Sequence, residues 1–188
     1  MKRSYLIIGG IVGFLLVMFF MYRGTYNTAV ELQESVDEKW SNVQSAYQRR
    51  ADMIPNLVKV VKGAAENEKE ILTKVTQARA GIVGDIQNAK NPEQLEMAGR
   101  KINTAINLAF EAYPQIRSTE NFQKLQDQLE GTENRINRER DLYNESIKEY
   151  NSHIRGFFNS MVLSRSEFPK KEGFKSKSGA ENAPEVNL

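Results

Sequence analysis

Tyr5 to Tyr22 reads YLIIGGIVGFLLVMFFMY, eighteen residues without a charge. As a helix this run rises about 27 Å at about 1.5 Å per residue, close to the apolar thickness of a bilayer. Tyr5 and Tyr22 stand at its ends, where amphipathic rings favour the membrane–water interface, and Lys2 and Arg3 precede it. A chain that begins this way has to build any soluble fold at one face of a membrane. The run exceeds the apolar core of a usual signal peptide. It exits through Met21-Tyr22-Arg23-Gly24, not through a small-residue cleavage site, so it reads as an uncleaved anchor. Lys2 and Arg3 before it, against Arg23 just after it, favour a short N-terminus inside and the rest of the chain outside. Gly9 and Gly13 have G-x-x-x-G spacing. That is either a helix-dimer face, leaving a homo-oligomer open, or the ordinary glycine content of spanning helices.

The rest of the chain is charged and balanced. Lys and Arg total 26, Asp and Glu total 24, and the formal net charge is +2. Signs are interspersed, which marks a solvated helical surface and argues against a nucleic-acid partner. There is no cysteine, so disulfides, thiol catalysis and thiolate metal sites are excluded. One histidine, His153, is expected to be exposed beside Ile154. No metal or cofactor site is expected.

Apolar spacing predicts four helices after the anchor. In the first, Ala29, Leu32, Val36, Trp40, Val43 and Tyr47 recur at intervals of three and four, one helix face running from about Thr25 to Arg50. Gly24 is a weak point at its junction with the anchor. Pro55 predicts a turn over Ala51 to Ile54. The second helix carries Leu57, Val61, Ile71, Leu72, Val75, Ile82 and Ile86, passing through Gly63. Asn91 reads as a cap with Pro92 as the first residue of a third helix, whose apolar face is Leu95, Ala98, Ile102, Ala105, Ile106, Ala109 and Tyr113, and Pro114 ends that helix. Ser118 or Thr119 caps the fourth. Its stripe, Phe122, Leu125, Leu129, Thr132, Ile136, Arg140, Tyr143, Ile147, Tyr150, Ile154 and Phe157, is the seam of a long helix. No strand pattern appears. The expected fold is all-α: a transmembrane helix, then an antiparallel up-down-up-down bundle of long helices. Its parts are a tail at 1–4, the span at 5–22, the bundle at 23–158, and a largely irregular or disordered tail at 159–188.

Several polar residues fall on or beside these stripes. Glu68 and Arg140 lie on apolar faces, and a buried charge needs a partner. In an up-down bundle, Glu68 lies at the depth of Arg135 and a little short of Arg140. Either could pair with it in the core; otherwise the charges sit at the stripe edge and reach water. With Glu133, Tyr143 and Asn144 they form a candidate core polar network. Tyr143-Asn144 and Tyr150-Asn151 repeat one heptad apart, with the asparagines placed to hydrogen-bond across helices. Arg49, Arg50, Asp52 and Asn56 cluster at the predicted turn, either locking it or binding a partner.

The run Arg49-Arg50-Ala51-Asp52-Met53-Ile54-Pro55-Asn56-Leu57-Val58 resembles the R-R-x-D-x-I-P-N-L-V segment of the LemA family. Trp40-Ser41, Val61-Lys62-Gly63 with Glu68, Tyr113-Pro114, Asn121-Phe122 and Thr132-Glu133-Asn134-Arg135-Ile136 match further blocks in order. Arg140, Tyr143-Asn144 and Tyr150-Asn151 follow in step. At the C-terminal end the family tends to have Phe-Pro-x-Asn and then Gly-Phe. Here Phe157-Phe158-Asn159-Ser160 stands, and Phe168-Pro169 and Gly173-Phe174 come later. The resemblance implies a membrane-anchored helical bundle of the bacterial cytoplasmic membrane and no established reaction.

No nucleophile, base and orienting group assemble at recognisable spacing, so no catalytic residue is assigned. The expectation is a non-enzymatic interaction or scaffold module with the bilayer and a protein as its partners. The alternative is a ligand-sensing bundle with a pocket near Glu68, Arg135 and Tyr143.

Overall fold

A computed structural model describes residues 2–62, 69–112, 116 and 119–175. Among these there are six helices and no strand: α1 (Lys2–Ala51), α2 (Ile54–Lys62), α3 (Lys69–Asn88), α4 (Pro92–Ala112), α5 (Glu120–Ile154) and the short α6 (Asn159–Val162). The protein is all-α, as its periodicity predicts. Gly63, Glu68, Tyr113, Pro114 and Ser118 lie outside the described residues, as does the chain from 176 onward.

α1 is continuous for 50 residues, and Gly24 does not interrupt it. Its N-terminal part is the one helix among the described residues that is long and apolar enough to cross a membrane, with a mean hydropathy of 2.3 and none of the apolar window buried. The first sharp break is shorter than Pro55 suggested. Ala51 is still helical, Asp52 and Met53 form the turn, and α2 starts at Ile54. The Met53 carbonyl accepts from the N–H of Asn56 and of Leu57, both at 3.0 Å, which closes the first turn. Pro55 then falls where a helix has no internal use for an N–H.

The predicted caps form. Asn91 Oδ1 accepts from the Gln94 N–H at 2.9 Å, while Gln94 Oε1 accepts from the Lys90 N–H at 2.7 Å. Thr119 Oγ1 accepts from the Phe122 N–H at 3.3 Å and so opens α5. At its other end α5 stops at Ile154, so Phe157 is not part of the seam and is 87% exposed. The reason is local: Asn159 Nδ2 donates to the His153 carbonyl at 2.8 Å, giving the last turn a partner outside the helix.

The chain forms two compact units, one from Met1–Trp40 with Glu145–Lys171, the other from Ser41–Asn144 with Glu172–Leu188. In the first unit, Ala29 and Val36 of α1 and Ile147 and Tyr150 of α5 are buried, as are Leu163 and Phe168. Beyond the short α6, residues 163–171 are irregular, yet they are packed. Tyr150 donates its hydroxyl to the Pro169 carbonyl at 3.0 Å, and the Tyr26 and Phe168 rings meet edge to face at 5.4 Å. His153 is not the free surface residue expected from its position: its Nε2 lies 3.0 Å from the Thr25 carbonyl and donates to it.

In the second unit, Val43 and Tyr47 of α1, Ile82 and Ile86 of α3, Leu95, Ile102 and Ile106 of α4, and Leu125, Leu129 and Ile136 of α5 are buried. These are the predicted stripes. Contacts give the helix directions. Gln44 reaches the Ile86 carbonyl while Asp52 meets Arg79, so α1 and α3 are antiparallel. Asp85 pairs with Lys101 across the short α3–α4 connection. Phe110 meets Phe122 and Glu96 meets Arg140, so α4 and α5 are antiparallel too. Successive long helices of this unit alternate in direction.

Candidate functional site

The second unit holds a polar cleft of about 170 Å³ between α1, α4 and α5. α1 supplies Tyr47 and Arg50, α4 supplies Glu96, Gly99, Arg100 and Asn103, and α5 supplies Glu133, Ile136 and Arg140. These positions lie one or two helical turns apart on facing helices, so the packing that buries the apolar stripes also brings these charges together.

Its charges are paired across helices. Arg50 binds Glu133 and donates from its second nitrogen to Asn103 Oδ1 at 2.9 Å. Arg140 binds Glu96 at 2.7 Å, and its guanidinium lies 4.6 Å from the Phe174 ring centre. Arg50 is the more buried cation, its side chain 12% exposed against 21% for Arg140. Arg50 Nε is buried with no hydrogen-bond partner among the described residues. Tyr47 is buried between the two pairs. Burial pushes its hydroxyl above the usual tyrosine range; Glu96 and Glu133 push the same way, and Arg140 and Arg50 oppose them. Its ring packs on Gly99, where an added Cβ would come within 2.6 Å of Tyr47 Cε1. Glycine at 99 is therefore what lets α1 and α4 approach here.

The sequence-derived residues sort into three groups. Arg50, Glu133 and Arg140 meet in this cleft. Asp52 lies apart from it, paired with Arg79 at 2.5 Å and tying the α1–α2 turn to α3. Arg49 and Asn56 are exposed. Arg49 lines a shallow polar depression of about 520 Å³ with Gln44, Gln48 and Gln87. Turn-locking and surface display thus fall to different members of one motif.

Arg135 does not join the core network. It comes one residue before the seam residue Ile136, so it points off the seam; its side chain is 52% exposed and pairs with Glu139 in its own helix at 3.8 Å. Glu68 lies outside the described residues. Tyr143 is packed edge to face on Phe174 at 5.6 Å. The cleft is thus lined by other residues than the pocket expected near Glu68, Arg135 and Tyr143, and it is smaller than typical ligand sites of about 300–1,000 Å³. Among the described residues Asn144 bonds to the returning segment and not to a neighbouring helix: it accepts from the Phe174 N–H at 2.8 Å and donates to the Phe174 carbonyl at 3.1 Å. In the first unit Asn151 does the same with Lys171, at 3.1 and 2.8 Å.

Sequence reasoning missed Glu96, Asn103 and Gly99; it singled out Asn151 but expected a partner on a neighbouring helix, and the partner is the backbone of Lys171. Glu96 follows the buried Leu95 and was indistinguishable from other helical acids. Gly99 was the legible signal, being a glycine inside an otherwise strong helix.

An exposed apolar N-terminal helix that continues into a core of alternating long helices, latched by inter-helix ion pairs, defines a helical bundle on a candidate membrane anchor. A model described as the LemA family matches residues 39–188. The chain belongs to the LemA family. It is 24% identical over 149 residues to Protein LemA of Metamycoplasma hominis, covering 79% of this chain and 68% of that protein.

Proposed function

We propose that the chain is a membrane-anchored, non-enzymatic interaction module whose bundle faces the extracytoplasmic side. The observation that supports this reading is α1 itself. One uninterrupted helix carries an uncharged apolar stretch with every described side chain from Tyr5 to Val17 exposed, and then the buried core residues Ala29, Val36, Val43 and Tyr47. A helix with an all-round apolar end suits lipid, and a helix with a single apolar stripe suits a bundle. Lys2 and Arg3 against Arg23 support the orientation.

The contact face is the one carrying Arg49. Its neighbour Arg50 is occupied by Glu133 and Asn103, whereas Arg49 presents its cation beside Gln48 and Gln87. An acidic or amide-rich protein segment is the complementary partner. The test is in-cell crosslinking with mass spectrometry on the full chain. Arg49→Glu should remove a crosslinked partner while the helical circular dichroism and thermal midpoint stay at wild-type values. An unchanged partner set would remove this face from consideration. Orientation is read separately. Labelling of Glu130→Cys by a membrane-impermeant maleimide in intact cells supports the outside placement, and labelling only after lysis reverses it.

A further inference from the structure

Among the described residues outside the apolar span, the two most exposed large hydrophobic side chains are Phe157, at 87%, and Met161, at 71%. Both belong to the stretch of chain that the first unit ties to α1. His153 Nε2 donates to the Thr25 carbonyl at 3.0 Å, Thr25 Oγ1 donates to Asn159 Oδ1 at 3.3 Å, and Asn159 donates back to the His153 carbonyl at 2.8 Å. Thr25 is three residues past Tyr22, so it stands about 4.5 Å beyond the end of the apolar run. Phe157 and Met161 are therefore held at the level where the span leaves the membrane. Facing water, they gain nothing from their apolar area; in the interfacial layer they bury it.

Beside them lies a cavity of about 400 Å³. Arg155, Arg165 and Lys170 line it with the hydroxyl residues Ser160 and Ser164, and no acid is among its lining residues. Glu167, in the same segment, accepts the Tyr26 hydroxyl. The three cations form a donor set suited to lipid phosphate, while the Ser160 hydroxyl is given to the Phe157 carbonyl at 3.0 Å and those of Ser164 and Ser166 lie 2.7 Å apart.

We propose that Phe157 and Met161 insert into the interfacial layer of the bilayer that holds the anchor, with Arg155, Arg165 and Lys170 on the adjacent lipid phosphates. The module is then seated on the membrane at a second point, not merely tethered to it. The proposal rests on reading residues 5–22 as a membrane span, and the experiment separates the two ideas.

The chain has no cysteine, so single cysteines in the full-length protein can each carry an environment-sensitive fluorophore. Leu15→Cys reports the span, Phe157→Cys and Met161→Cys report the seat, and Glu38→Cys reports a position thirteen residues past Thr25. Each is reconstituted in vesicles of phosphatidylcholine and phosphatidylglycerol and quenched by lipids carrying a nitroxide on the acyl chain. Labels at 157 and 161 should be quenched several-fold more than the label at 38. The triple substitution Arg155→Gln, Arg165→Gln, Lys170→Gln should weaken that quenching and leave position 15 unchanged. Quenching at 15 with none at 157 or 161 overturns the seat and leaves the span standing. No quenching at 15 overturns the span and the seat with it. Efficient crosslinking between two copies at 157 without lipid quenching assigns the face to a second copy and also overturns the proposal.

Discussion

A methyl group added at Gly99 would lie 2.6 Å from Tyr47 Cε1, and Tyr47 is only 4% exposed. The ring has little space to yield, so α1 and α4 must separate or Tyr47 must leave its position. Gly99→Ala should cost about 1–3 kcal/mol, the range for overpacking a filled core. Gly131→Ala is the control, because a Cβ there meets nothing within 4 Å. It should instead stabilise by up to about 1 kcal/mol, the helix preference of alanine over glycine. Urea unfolding midpoints at unchanged slope distinguish the two signs. The Arg140–Glu96 pair is tested by a double-mutant cycle with Arg140→Met and Glu96→Gln. Both side chains are partly exposed, at 21% and 31%, so the coupling energy should fall near the low end of about 0.5–3 kcal/mol. A coupling of zero would make the contact a bystander of packing.

Single helices show how the same motif serves different ends. On α5 the Tyr-Asn repeat puts each tyrosine in the core and gives each asparagine a backbone amide to hold. Asn144 and Asn151 are seven residues apart, a helical rise of about 10.5 Å. Their partners Phe174 and Lys171 are three residues apart, about 10 Å in extended chain. The heptad of the helix and the reach of the returning segment match in length, so both pairs form. Asn144→Ala and Asn151→Ala each delete two hydrogen bonds to that segment and should free it locally. Tryptic cleavage after Lys170, Lys171 or Lys175 should then speed up several-fold while α5 keeps its amide-exchange protection. Cleavage at the wild-type rate in both variants would mean the packing of Phe168 and Phe174 alone holds the segment.

For the whole molecule, two responses follow. Tyr47 and Tyr150 are both buried, and burial raises both hydroxyls above the ordinary value of 10.0; Asp37 adds to the effect at Tyr150. Above about pH 10 the unfolded chain loses these protons while the folded chain still holds them. Stability is therefore undiminished by these groups below pH 10 and falls as pH rises toward their folded-state values. Chemical denaturation from pH 8 to 11 should show that decline, and Tyr47→Phe should flatten it. The second response concerns the anchor. Deleting residues 2–24 removes the apolar stretch and leaves the buried positions from Ala29 onward intact. The truncated chain should move from the membrane fraction to the soluble fraction with its helical spectrum retained. Retention in the membrane fraction would show that other surfaces bind lipid without the span.

What the sequence determined by itself was everything set within a few residues along the chain. The uncharged run at 5–22, the helix faces through Val43, Ile102 and Ile136, the caps at Asn91 and Thr119 and the break at Pro55 all follow from local backbone chemistry and from apolar spacing. The LemA motif blocks placed the chain in its family for the same reason, being short runs read in order. The tertiary structure decided which partner each inward charge takes. Arg50 could have met any acid at its depth, and the packing of α1 on α4 and α5 gave it Glu133 and Asn103. Arg135 was one residue off the seam, and that angular offset sent it to the surface. Only tertiary contacts could show that residues 163–174, polar in composition and without periodicity, are held by Leu163, Phe168 and Phe174. Three spaced apolar side chains fix an irregular segment through contacts with distant residues, and nothing in its local pattern records where those residues lie.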